Sequence, residues 1–93
     1  LEAAKAKDWG LVNEIVPVEE LESTVGVFAK QLANGPTRAI GLMKTIVDES
    51  VNMTLEDVLK REQITQTLMV TTEDHLEGVQ AFVEKRKAKF TGK

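Results

Sequence analysis

Four stretches of this chain carry apolar residues at helical spacing, and between them stand residues that stop one helix and start the next. Leu21, Val25, Phe28 and Leu32 fall four, three and four apart, so they share one face of a helix that begins near Glu19. Ile40, Met43, Ile46 and Val47 repeat the pattern, as do Leu55, Val58 and Leu59 with Leu68 and Met69, and then Leu76, Val79, Phe82 and Val83. Asn34-Gly35 closes the first of these stretches, and Pro36 stands where a helix tolerates proline, in the first turn of the next. Thr54 with Asp57 three residues on resembles a capping box, and Thr71 and Thr72 are both possible caps ahead of Glu73-Asp74. Connections this short suit a compact helical array, and the expected fold class is all-α with about four helices.

Two features lie outside the four stretches. Residues 1 to 8 read as helix already under way, with no capping residue before Leu1, so the chain is expected to be part of a longer one. Trp9-Gly10 then supplies a stop, because a glycine past a helix end can take the left-handed conformation that closes it. Leu11 to Val16 is partly alternating and β-branched, which predicts a short extended segment ending at Pro17. It is too brief to found a sheet.

Composition excludes several functions. With 42% hydrophobic but only 4% aromatic residues, any core is built from Leu, Ile, Val and Met. The absence of cysteine removes disulfides, thiolate metal sites and cysteine nucleophiles together. No apolar run approaches the roughly 18 residues of a membrane span and no secretory signal opens the chain, so the expectation is a cytoplasmic protein with no membrane partner. The net charge of -3 conceals an asymmetry: residues 1 to 84 carry 7 basic and 15 acidic side chains, whereas Lys85, Arg86, Lys87, Lys89 and Lys93 are all basic. That patch is too short and too poor in aromatic residues to predict nucleic-acid binding.

Side chains that could do chemistry are few. His75 is the only histidine, so it has no second imidazole for a metal and no triad partner, and a structural role on the helix surface is expected. Glu62 interrupts the apolar side of its helix without a second carboxylate to share acid and base work, which predicts a solvated face or an inter-helix hydrogen bond. Ser23, Thr24 and Ser50 have no base nearby. The basic tail has two readings: cations favoured at the carbonyl end of a helix dipole, or a site for a phosphate with Phe82 supplying an apolar contact one turn earlier.

Several segments taken together resemble one family. Gly10-Leu11-Val12-Asn13 before Val16-Pro17, Gly35-Pro36-Thr37-Arg38-Ala39 with Lys44, and above all Glu73-Asp74, Glu77-Gly78, Ala81-Phe82, Glu84-Lys85-Arg86 and Phe90 stand in the order and at the spacing found near the C-terminus of crotonase-family enzymes, the enoyl-CoA hydratases and isomerases. The resemblance covers nearly all of residues 1–93. It implies the C-terminal helical domain of an α/β enzyme whose larger catalytic domain, a spiral of repeated ββα units, lies upstream.

In that family two backbone N–H groups hold the thioester carbonyl and stabilise an enolate-like intermediate, while one or two carboxylates move protons or activate water. Those elements map upstream, so the resemblance implies no catalytic residue and no metal here. It also implies no resident cofactor, coenzyme A being part of the acyl-CoA substrate. The family's C-terminal helices pack in a trimer, or a dimer of trimers, and help to close the acyl-CoA site, often that of a neighbouring subunit. A lysine that contacts the CoA nucleotide in some members aligns with Lys85. Phe82 is then a wall of the adenine end or core filler, and polar Gln66 stands where some hydratases carry an aromatic residue. The alternative is a free-standing helical interaction module whose basic tail binds a partner.

Overall fold

The computed structural model describes residues 1–93. It contains five helices and no strand: α1 (Ala3–Asp8), α2 (Val18–Ala33), α3 (Thr37–Ser50), α4 (Leu55–Val70) and α5 (Glu73–Val83). The all-α expectation holds, and the count exceeds the expected four because the opening stretch is a helix in its own right. The chain divides into two compact units, Leu1–Lys30 and Gln31–Lys93.

In the first unit, α1 closes through Gly10. Its φ of 73° lets the Gly10 N–H reach the Lys7 carbonyl at 2.9 Å and the Leu11 N–H reach that of Ala6 at 2.9 Å. This is the paired closure that a left-handed residue makes possible. The Lys5 ammonium sits 4.9 Å from the centre of the Trp9 ring, a cation–π contact. Leu11 to Val16 forms no strand, because an extended segment without a partner has no ladder for its backbone groups. Glu14 restrains it instead, pairing with Lys7 and accepting from the Ile15 N–H at 3.2 Å. These bonds hold the Glu14 carboxyl below its ordinary pKa, the Lys7 hydrogen bond most of all. Leu21, Val25 and Phe28 of α2 lie along one face and are all exposed.

The second unit contains α3, α4 and α5. α3 starts without a side-chain cap, the Pro36 carbonyl accepting from the Ile40 N–H at 3.0 Å. Thr54 caps α4 as expected: its hydroxyl accepts from the Asp57 N–H at 3.2 Å and donates to the Asp57 carboxylate at 2.6 Å. Arg61 on α4 pairs with Glu49 on α3 at 3.1 Å, and α4 packs against both neighbouring helices. The polar run from Glu62 to Gln66 does not interrupt α4, because its residues are good helix formers or tolerable ones whatever they face.

Of the two threonines ahead of α5, Thr72 is the cap. Its hydroxyl accepts from the His75 N–H at 3.1 Å and donates to the Met69 carbonyl at 2.7 Å, while Thr71 only bonds back to Leu68. Thr72→Ala should therefore destabilise the protein by about 1 to 2 kcal/mol and Thr71→Ala by less than about 0.5 kcal/mol, as urea denaturation of the two variants would report. Little else is enclosed. Ala81, 2% exposed, is the one buried apolar residue, and the other buried residues are Thr72 and Asp74.

Candidate functional site

The most ordered polar arrangement lies where α5 meets the residues that follow it. α5 ends at Val83, and the chain leaves the helix through Lys85 at a φ of 54°, the only non-glycine residue with positive φ. The Lys85 N–H donates to the Phe82 carbonyl at 3.2 Å and the Arg86 N–H to that of Ala81 at 3.0 Å. This is the closure that Gly10 makes for α1, with lysine at the position where glycine is usual. The basic residues were expected in the last turn of α5. They lie beyond it instead, because the left-handed turn at Lys85 ends the helix first.

From there the tail folds back along α5 and is held by two carboxylates one helical turn apart. Glu77 takes the Arg86 guanidinium with both oxygens, at 2.6 and 2.9 Å, and accepts from the Lys89 N–H at 2.7 Å. Asp74 accepts from the N–H groups of Thr91 at 2.7 Å and Gly92 at 2.9 Å, while its own N–H donates to the Lys93 carbonyl at 3.0 Å. Phe90, carried by the same tail, lies over Gly78, the place where a Cβ would come to 3.6 Å of its ring. The pairing of an anion with a helix start predicts Asp74 near the α5 N-terminus, but not this second use. Its partners stand 17 and 18 residues away, beyond any local pattern.

The Arg86 hydrogen bonds, with that of the Lys89 N–H, bring the Glu77 carboxyl down from 4.5 to about 2. Since the folded value lies below the unfolded one, the contribution of this carboxylate is fully present above about pH 4.5 and is lost as the pH falls toward 2. NMR titration of the Glu77 carboxyl carbon should show a midpoint near 2, returning toward 4.5 in an Arg86→Ala variant. Glu84 also pairs with Arg86, at 2.5 Å, and its carboxyl is lowered by that bond first and by Gln80 second. The Arg86 guanidinium is correspondingly raised, chiefly by Glu77.

The tail cations are therefore not equivalent. Arg86 is engaged by two carboxylates, whereas Lys85 is exposed and makes no ion pair. Neither lines the cavity of about 800 Å3 that α3, α4, α5 and Phe90 border, with walls that include Met43, Ile46, Leu59 and Val79. Phe82 also borders it and is 85% exposed, so in this chain it is not core filler. The stripe containing Phe82 is apolar, but no neighbouring element covers its end. Glu62 and Gln66 reach the same cavity from α4; Glu62 is exposed, and the other carboxylate of the lining, Asp74, is occupied by the N–H groups of Thr91 and Gly92. His75 is half-buried at the cavity edge rather than exposed. No three acidic or histidine side chains converge to hold a metal, and no helix is long and apolar enough to cross a membrane.

An all-helical array of this kind superposes on about a third of each of several solved enzymes of the crotonase fold. The family model for enoyl-CoA hydratase/isomerase matches residues 1–93. The 1,2-epoxyphenylacetyl-CoA isomerase of Escherichia coli (strain K12) is 38% identical over 93 residues, which are 100% of this chain and 36% of that protein. The mitochondrial enoyl-CoA hydratase of Pongo abelii is 37% identical over 90 residues, 97% of this chain and 31% of that one. The crystal structure of enoyl-CoA hydratase from Bacillus anthracis superposes with a TM-score of 0.89 at 34% identity, covering 98% of this chain and 35% of that one. The chain belongs to the enoyl-CoA hydratase/isomerase family. It spans about a third of the length of these relatives.

Proposed function

We propose that residues 1–93 are the C-terminal helical domain of an acyl-CoA hydratase or isomerase, where they hold the CoA portion of the substrate and help to assemble the enzyme. The proton chemistry and the oxyanion hole that stabilises an enolate-like intermediate belong to the rest of the protein. The observation that carries this reading is Lys85. A non-glycine residue in the left-handed region costs about 1 kcal/mol or more, and residues kept in such conformations cluster at binding sites. Lys85 accepts that cost while its ammonium stays exposed and unpaired, as a contact to a CoA phosphate requires. Phe82 lies one turn earlier with its ring uncovered, suited to the adenine end. The uncovered stripe of Leu21, Val25 and Phe28 supports an assembly role, and a trimer or a dimer of trimers would cover it.

The two substitutions that separate the roles of Lys85 are alanine and glycine. In the full-length enzyme Lys85→Ala should weaken acyl-CoA binding by about twofold to tenfold, with the effect fading as salt is raised. Lys85→Gly should lose the same affinity while gaining up to about 1 kcal/mol of stability, since glycine is at ease in the left-handed turn. Dissociation constants from calorimetry, beside melting temperatures, would read both. Unchanged affinity at low and moderate salt would reduce Lys85 to a charge at a helix end. Purified residues 1–93 should not hydrate crotonyl-CoA, and an enzymatic rate from them would move the chemistry into this chain. A free-standing module that binds a partner through its basic tail draws less support, because Arg86 is already held within the chain.

A further inference from the structure

We propose that Glu77 is a positioning residue for Lys85, holding the left-handed turn through which the lysine presents its ammonium; this rests on the reading of Lys85 as a CoA contact. The backbone leaves α5 through a conformation that lysine does not favour by itself, and the helix end supplies locally two closing hydrogen bonds at 3.2 and 3.0 Å and the pair of Glu84 with Arg86 across it. Glu77 adds restraint from the next turn of α5. One carboxylate fixes the residue after Lys85 by gripping the Arg86 guanidinium at both oxygens, and it fixes the outgoing chain again at the Lys89 N–H.

With Arg86 and Lys89 both tied to one side chain of a rigid helix, the segment between them cannot swing, and Lys85 is kept at its left-handed φ. The same tie prevents Arg86 from competing for the phosphate. Two adjacent cations thus have separate tasks, one bound within the fold and one free for ligand. Glu77 itself touches no substrate in this scheme, so its effect should pass entirely through Lys85.

The test compares an acyl-CoA substrate with the matching acyl-pantetheine thioester, which lacks the nucleotide, in steady-state kinetics of the full-length enzyme. Glu77→Gln should raise KM for acyl-CoA about twofold to fivefold, leave kcat unchanged, and leave acyl-pantetheine turnover unaffected. In a Lys85→Ala background it should have no further effect. Arg86→Lys keeps the charge but loses the two-pronged pair, and should reproduce the same selective KM rise if Glu77→Gln folds poorly. Equal losses on both substrates, or an effect that adds to Lys85→Ala, would make Glu77 a general structural residue and overturn the proposal. A Lys85→Ala defect on acyl-CoA with Glu77→Gln and Arg86→Lys both silent would overturn it while leaving the CoA contact of Lys85 standing. No Lys85→Ala defect on either substrate would remove both.

Discussion

Replacing Asp74 with alanine is expected to lower stability by about 2 to 4 kcal/mol, because two charge-assisted backbone hydrogen bonds lose their acceptor at once. Asp74 is 5% exposed and serves the N–H groups of both Thr91 and Gly92. Water can reach those N–H groups once the tail lifts, so the loss falls short of two fully buried orphaned donors. Chemical denaturation of the full-length protein would give the magnitude. Hydrogen exchange would locate it, with faster exchange at Thr91 and Gly92. Glu77→Gln should leave those two amides protected and expose that of Lys89, because each carboxylate restrains its own part of the tail.

Gly92→Ala is the second large effect, at about 1.5 to 3 kcal/mol, from a left-handed backbone and a steric conflict combined. The φ of Gly92 is 78°, and a Cβ there would stand 2.7 Å from the Thr37 hydroxyl at the start of α3. The two causes can be separated. Pairing Gly92→Ala with Thr37→Ala removes the conflict and leaves the conformational cost of about 1 kcal/mol, so the double variant should be more stable than additivity allows. Strict additivity in denaturant midpoints would show that the tail shifts away from α3 freely.

The sequence is most legible where the physics is local. Thr54 with Asp57, Gly10 after α1 and the apolar spacing along α2 to α5 each concern residues within a turn or two of one another, and the structure has them as expected. The tail is different. Gly92 and Thr91 reach Asp74 across the whole of α5, and a helix-start aspartate with a good local explanation gives no sign of a second partner. Lys85 was singled out by its charge and its family resemblance. Its left-handed turn could not be anticipated, because that position is ordinarily a glycine. The segment at 11 to 16, expected to be extended but too brief to found a sheet, forms no strand, since β-branched residues make one only when a neighbour supplies the ladder.

Ala81 is the only buried apolar side chain, and this changes what thermal stability means for these helices. Whatever covers Phe82, Leu76 or the α2 stripe binds the folded form alone, so each such contact adds to stability in proportion to its occupancy. The melting temperature of this chain then reports whatever covers these faces as well as the residues within it.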